Sequence, residues 1–116
     1  MRGFPIESKP AIDVGQPAAV FAALGDTTRL RLLEKLGFHG SQSITQLTAD
    51  LPLTRQAVTK HLRVLQRAEL IVEERLGRER RFRPVPAVID QAIESLNAIS
   101  KQWDAALERL QAYVEK

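Results

Sequence analysis

The chain has 116 residues, of which 44% are hydrophobic and 27% are charged, a composition typical of one globular domain with a single modest core. No apolar run approaches the roughly 18 residues that span a membrane, and the N-terminus lacks the apolar core of a secretion signal. The absence of cysteine excludes disulfides, thiolate metal sites and cysteine nucleophiles, and it favours a cytoplasmic protein.

The net charge is only +3, but the positive charge is concentrated in one segment. Residues 54–83 contain nine lysines or arginines and four acids. The rest of the chain contains eight lysines or arginines and ten acids. A basic block on a nearly neutral body predicts a localised site for a polyanion. A solubilising surface is the alternative that composition leaves open.

The chain begins with a segment whose apolar residues show no clear period, and a short helix is predicted after it. Residues 1–15 contain two prolines and predict a partly disordered arm, so we place the folded domain at 16–116. Pro17 is suited to the first position of a helix and Gly25 to its end. The apolar set of this first helix is Val20, Phe21 and Leu24.

Two more helices are predicted before the basic segment. Asp26 is suited to cap the second helix and Gly37 to end it. Ser43 caps a shorter third helix, "SITQLTADL", which Pro52 terminates. The second helix is predicted to bury Leu30, Leu33 and Leu36, with Leu32 at the flank of that stripe.

The fourth helix has two chemically different faces. Thr54 is suited to cap it, and at roughly 100° per residue the apolar residues between Ala57 and Ala68 fall on one arc. The opposite arc is polar and mostly cationic, with Arg55, Gln56, Thr59, Lys60, Arg63 and Arg67. We expect the apolar arc to pack on the core, and the polar arc either faces solvent or enters a DNA groove.

After the fourth helix, the spacing of the apolar residues changes from the period of a helix to that of a β-strand. The segments "LIVEERL" and "ERRFRPV" alternate and flank Gly77-Arg78, which predicts a β-hairpin with its turn at Gly77. The tip and second strand carry Arg78, Arg80, Arg81 and Arg83. A cationic hairpin at this distance from a cationic helix strengthens the interpretation of the helix as a DNA-binding element.

The last segment, residues 86–115, predicts one helix about 40 Å long. Its apolar residues follow a heptad stripe that Ser100 interrupts. The stripe is too long for this domain to cover, so we expect the same stripe of a second chain to pack against it, with the first helices joining the interface. The predicted dimer residues are Val20, Phe21, Ile89, Ile93, Leu96, Trp103, Leu107 and Leu110.

The order of four helices, a basic hairpin and a long helix predicts a winged helix-turn-helix, a mainly α fold with about five helices and a two-stranded wing. In this motif the second helix of the pair lies in the major groove. Arg55 and Lys60 can donate to guanine, and Gln56 can pair with adenine. Arg63 would meet phosphate, and Arg78 can follow the backbone or enter a minor groove. The predicted contacts to double-stranded DNA are Thr54, Arg55, Gln56, Thr59, Lys60, Arg63, Arg78 and Arg80.

Resemblance to a known family lies in three stretches, "LGDTTRLRLLEKL" at 24–36, "ITQLTADLPLTRQAVTKHLRVLQRAELI" at 44–71 and "EERLGRERRFRP" at 73–84. These are similar to the ArsR/SmtB family of bacterial winged-helix repressors, and the similarity extends over about residues 17–114. It implies a homodimer joined by the first and last helices, and operator binding that blocks transcription. The family usually has proline after the Asp of its second helix, where this chain has Thr27.

Metal ligands are the main departure from that family. Its founding members sense metals through cysteine on the third helix, or through acid and histidine ligands on the last. This chain has no cysteine, and its last helix has no histidine. His61 lies on the apolar arc of the fourth helix and is interpreted as a packing residue, and His39 as solvated. We therefore predict no metal site and no cofactor, and the sequence leaves open whether a small-molecule effector exists.

Other functions fit the sequence less well than a DNA-binding regulator. No Gly-rich phosphate loop, nucleophile elbow or His/acid/Ser group occurs, so we do not predict an enzyme. A winged helix whose basic face contacts an acidic protein stays open, as does a regulator of another winged-helix family. Salt-sensitive binding to duplex DNA with sequence preference separates DNA reading from the protein-binding alternative.

Overall fold

The structure is a computed structural model that describes residues 15–115. The predicted arm at 1–15 lies outside these residues except for Gly15, which begins the first helix. Within this range, five helices and one antiparallel sheet confirm the predicted mainly α winged helix-turn-helix. The elements in chain order are α1 (Gly15–Leu24), α2 (Thr27–His39), β1 (Gln42–Ser43), α3 (Ile44–Thr48), α4 (Arg55–Arg67), β2 (Ile71–Leu76), β3 (Glu79–Pro84) and α5 (Pro86–Val114).

The wing belongs to a three-stranded sheet, whereas the sequence predicted two strands. The strand order is β1-β3-β2, with both pairs antiparallel. The predicted turn is present, and Gly77 adopts a φ of 64°, where a residue with a side chain is strained. The short strand β1 places Gln42 opposite Phe82. Two residues are too few to show an alternating pattern, so this strand has no signature of its own and forms because β3 offers it an edge.

The starts of α2, α3 and α4 are those that the sequence predicted, because each of these helices begins at a side-chain cap. In contrast, α1 begins at Gly15, two residues before the predicted Pro17, and α5 begins at Pro86 without a side-chain cap. Asp26 and Thr54 each accept a hydrogen bond from the backbone N–H three residues later, both at 3.1 Å. Ser43 and Gln46 form a reciprocal capping box with distances of 3.2 and 2.9 Å. Each cap contributes about 1 kcal/mol to stability, and together they set the starts of α2, α3 and α4.

The end of α2 lies three residues later than predicted. The helix continues through Gly37 to His39, and Gly40 terminates it with a φ of 78°. The N–H of Gly40 donates to the carbonyl of Leu36 at 2.7 Å. A helix commonly ends at the glycine whose positive φ lets the chain leave the helical path, and here that glycine is Gly40.

The core lies where α2, α3, α4 and the sheet meet, and its wholly buried side chains include Leu32, Leu36, Leu47, Leu62 and Leu65. The predicted phase of α2 was wrong, because Leu30 is 51% exposed and Leu32 is buried. Four leucines within seven residues cover much of the helix circumference, so the sequence pattern alone did not distinguish the inner face. Packing against α4 and β3 selects Leu32 and Leu36.

The long helix α5 packs on the domain through its first half only. Val88 and Ala92 are buried, and α5 contacts α1 there. From Ser100 to Glu115 every residue is exposed, and the described part of the chain is 66 Å in its longest dimension. Residues 15–115 therefore leave the predicted stripe largely uncovered, with Ile89 half-buried and Ile93, Leu96, Trp103, Leu107 and Leu110 exposed.

Val20 is a correction to the predicted dimer residues. It is 1% exposed within the core of its own chain, so it has almost no surface left for a partner to cover. The neighbouring Phe21 is only half-buried and packs against the edge of the core. Val20 turns inward together with Ala23, which leaves Phe21 on the outer side of α1.

Candidate nucleic-acid interface

The helix α4 divides into the two faces that its sequence predicted. Val58, Leu62 and Leu65 are buried on one side, while the cationic and amide side chains on the other side are exposed. The hydroxyl oxygen of Thr54 accepts the capping hydrogen bond from the N–H of Ala57, and the Thr59 hydroxyl donates to the carbonyl of Arg55 at 2.8 Å. The polar face is therefore presented to solvent on a rigid, capped helix.

A cleft of about 330 Å³ separates the polar face of α4 from the wing. It contains five of the eight predicted DNA contacts, namely Arg55, Thr59, Arg63, Arg78 and Arg80. Its other lining residues, none of which was among the predicted DNA contacts, are Ser43, Ile44, Thr45, Glu79 and Phe82. Four arginines from two separate elements thus surround one cavity.

The remaining predicted contacts lie outside that lining. Gln56 and Lys60 are exposed on α4, and Thr54 is exposed at its N-cap. Arg67, which the helical wheel placed on the polar arc, instead lines a shallow groove against α1. The polar surface that faces the wing therefore extends along α4 from Arg55 to Arg63, and Arg67 lies on the α1 side of the helix.

Glu73, which lies on the wing strand β2 and contacts α4, was not among the predicted site residues. Its carboxylate accepts from Nη1 of Arg63 at 3.1 Å and from Nε of Arg80 at 2.5 Å. The Arg80 guanidinium, followed by that of Arg63, holds the pKa of Glu73 below its usual range. In return, Glu73 raises the pKa of Arg80. The register of the predicted hairpin was a usable signal, since a turn at Gly77 places Glu73 diagonal to Arg80.

Two other wing arginines lie outside the cleft lining, although Arg81 also pairs with the lining residue Glu79 at 2.8 Å. Arg81 is half-buried and donates to the carbonyl and the hydroxyl of Ser41, at 2.6 and 3.0 Å. Arg83 pairs with Glu74 at 3.3 Å. Neither arginine is part of the cleft lining, so the cationic charge of the hairpin divides between its two faces.

His61 is half-buried behind the polar face, as predicted for a packing residue. Its Nδ1 lies 3.2 Å from Nη1 of Arg29 and 3.7 Å from Oδ2 of Asp26. The backbone N–H of Arg29 lowers the pKa of Asp26, partial burial opposes that effect, and the charges of His61 and Arg29 add to it. Among residues 15–115, no group of three or more His, Cys, Asp or Glu is arranged to hold a metal ion.

Similarity to known proteins agrees with this geometry. A helix-turn-helix domain family matches residues 24–74. The chain is 40% identical over 72 residues to the uncharacterized HTH-type transcriptional regulator YuzN of Bacillus subtilis (strain 168), covering 57% of this chain and 78% of YuzN. The ArsR-like transcriptional regulator from Rhodococcus sp. RHA1 superposes with a TM-score of 0.79 at 37% identity, covering 85% of this chain and 92% of that one. The chain belongs to the ArsR family of helix-turn-helix transcriptional regulators.

A further ArsR-family relative is the arsenic resistance transcriptional regulator ArsR1 of Pseudomonas putida (strain KT2440). It is 27% identical over 90 residues, covering 75% of this chain and 70% of ArsR1. Family membership confirms the predicted class, a DNA-binding transcriptional regulator rather than an enzyme. None of the helices within residues 15–115 combines the length and hydropathy that crossing a bilayer requires.

Proposed function

We propose that this ArsR-family chain is a homodimeric repressor that recognises a specific operator in double-stranded DNA through α4 and the wing. The observation that supports this most strongly is the cleft between the two elements, with four arginines in its lining. Guanidinium groups bind guanine edges and phosphates in a fixed, bidentate geometry. A cluster contributed by a helix and a hairpin suits one groove and its adjacent backbone.

The proposed contacts divide by their position on α4. Arg55, Gln56 and Lys60 are exposed in its first two turns, where a recognition helix meets base edges. Thr59 donates its hydroxyl proton to the helix, so it offers DNA an acceptor oxygen and a methyl group. The backbone contacts are assigned to Thr54, Arg63, Arg78 and Arg80, which flank those residues on the helix and the wing.

The proposed dimer covers the apolar stripe of α5. The interface consists of Phe21, Ile89, Ile93, Leu96, Trp103, Leu107 and Leu110, without Val20. Exposed apolar side chains in a row along a projecting helix, interrupted at Ser100, mark a surface that a partner covers. Pairing about a two-fold axis also presents two copies of α4 to successive major grooves of a pseudo-palindromic operator.

The proposed repressor does not respond to thiophilic metals. ArsR1 is named for arsenic resistance, but this chain has no cysteine to supply the soft thiolate ligands that such ions select. Residues 15–115 also lack a group of three or more histidines or acids arranged to hold a metal ion. Stoichiometric zinc, cadmium, cobalt or nickel should therefore leave the DNA complex intact. Tight one-to-one metal binding by calorimetry, together with release of DNA, would contradict this part of the proposal.

The decisive experiment is selection of bound duplexes from random DNA by the purified protein. A pseudo-palindromic consensus, confirmed by binding that falls steeply with added salt, is the expected outcome. A transcription assay with that site in a promoter then distinguishes repression from activation. Binding of an acidic protein, with no enrichment of any DNA sequence, would instead support a protein-recognition role for the basic face.

A further inference from the structure

Glu73 is an acidic residue on the wing strand β2, beside the basic cleft, and its side chain links α4 to β3. One carboxylate oxygen lies 3.1 Å from Arg63 on α4, and the other lies 2.5 Å from Arg80 on β3. Gln66 reinforces the link, because it donates to Glu73 at 3.4 Å and accepts from Arg63 at 2.7 Å. The Glu73 side chain is only 22% exposed, and its single carboxylate joins α4 to β3.

These contacts use only part of each guanidinium group. Arg80 engages Glu73 through Nε, and Arg63 engages Glu73 and Gln66 through Nη1. A guanidinium carries five N–H donors, so the other donors of both side chains remain for a ligand in the cleft. Glu73 itself is not part of the cleft lining. The Glu73 carboxylate therefore positions Arg63 and Arg80 from outside the cleft lining. It leaves their remaining N–H donors available to a ligand in the cleft.

The geometry points to Glu73 as a positioning residue that sets the sequence preference of the interface, an inference that rests on the proposed DNA-binding function. Holding Arg63 and Arg80 in one arrangement removes side-chain freedom before DNA binds. It also fixes the wing at one distance from α4, so that a phosphate contact made by the wing positions the base-reading turns of α4. A wing without this link can contact the phosphates of DNA backbones with many different geometries. Its phosphate contacts then stabilise complexes with all DNA sequences to the same extent.

Charge alone leads to a different expectation. Removal of a carboxylate from a basic surface strengthens binding to any polyanion. If Glu73 were simply a negative charge that weakens DNA binding, its neutralisation would raise the affinity for every duplex by one factor. A positioning role adds a second effect, which is a loss of discrimination between the cognate duplex and others.

The chain offers a matched control in the next residue. Glu74 is on the same strand, but its partner is Arg83, at 3.3 Å, and neither residue is part of the cleft lining. The substitutions Glu73→Gln and Glu74→Gln remove the same charge from adjacent positions. Only the first removes the bridge between α4 and the wing.

The experiment measures the affinities of wild type, E73Q and E74Q for the selected cognate duplex and for a scrambled duplex, by fluorescence anisotropy at several salt concentrations. Both variants should bind the scrambled duplex more tightly, by similar factors. For E73Q, the ratio of cognate to scrambled affinity should fall about three- to tenfold, in the range expected for a partly exposed ion-pair network. For E74Q, that ratio should change less than about twofold.

A second variant separates geometry from charge. Glu73→Asp keeps the negative charge but is one methylene shorter, so its carboxylate cannot span both arginines. The affinity of E73D for the scrambled duplex should therefore stay at the wild-type value, while its discrimination falls as it does for E73Q. Thermal unfolding of each variant establishes that the domain remains folded.

The possible failures are distinct. Equal discrimination ratios in wild type, E73Q and E73D would overturn the positioning role, and so would a parallel loss of affinity for both duplexes, which indicates only a damaged wing. A wild-type protein that shows no sequence preference would overturn the proposed function itself, and this inference with it.

Discussion

Arg55 and Gln56 lie in the first turn of α4, exposed and away from the core, so substituting them tests base reading without disturbing the fold. Replacing either with alanine should cost about 1–3 kcal/mol on the cognate duplex and relax the preference at one base pair. Arg31→Ala, which removes an exposed cation from α2 outside the cleft lining, is the control and should leave the selected consensus unchanged. Unaltered cognate affinity in both α4 variants would mean that another surface reads the DNA.

The carboxylates of Asp26 and Glu73 should make the fold sensitive to acid. In the folded chain the pKa of each is below its usual range. Their contribution to the free energy of unfolding is therefore fully present above about pH 5 and is lost as the pH falls through the folded pKa. Urea unfolding between pH 7 and pH 3 should show this loss, with a smaller one in Glu73→Gln. An identical loss in that variant would assign the acid sensitivity to other groups.

At the scale of the elements, the two glycines near the end of α2 give opposite predictions. Gly37 lies within the helix and a methyl group there would meet open space, so Gly37→Ala should stabilise the domain by about 0.5–1 kcal/mol. Gly40 has a φ of 78° and a ψ of −142°, which strains any residue with a side chain, so Gly40→Ala should destabilise it by about 1–3 kcal/mol. Chemical unfolding of the pair checks both signs, and the reverse order would place the end of α2 at Gly37.

Features set by local chemistry were predictable from the sequence at this scale, whereas those set by distant partners were not. Caps such as Asp26 and Thr54 and the turn at Gly77 depend on a few neighbouring residues, and the structure has all three where they were predicted. The strand β1 and the inner face of α2 depend on β3 and α4, which are far away in sequence. The bridging contacts of Glu73 required both the hairpin register and the packing of α4 against it. Positions of the basic side chains on α4 were predictable, but their partners were not.

At the scale of the whole molecule, the proposed dimer can be tested at Trp103, which is 70% exposed on the projecting half of α5. Trp103→Asp places an unpaired charge in the proposed apolar interface and should cost several kcal/mol of association. Sedimentation should show a monomer, with cognate affinity lost although α4 and the wing are unchanged. Gln102→Asp, which adds the same charge at the residue before Trp103 but outside the stripe, is the control and should remain dimeric. A wild-type monomer at micromolar concentration would refute the dimer.

The projecting half of α5 also bears on the lifetime of the protein. Beyond Ser100 every described residue of the helix is exposed, and an isolated helix of about fifteen residues is only marginally stable in water. Ordering of this segment and pairing with a second copy should therefore occur together. A chain produced at low copy number would keep a frayed tail that proteases can cut, while paired chains would be protected. Degradation would then remove unpaired chains selectively. A regulator present at low concentration would be degraded faster than the same regulator at a concentration at which it is paired.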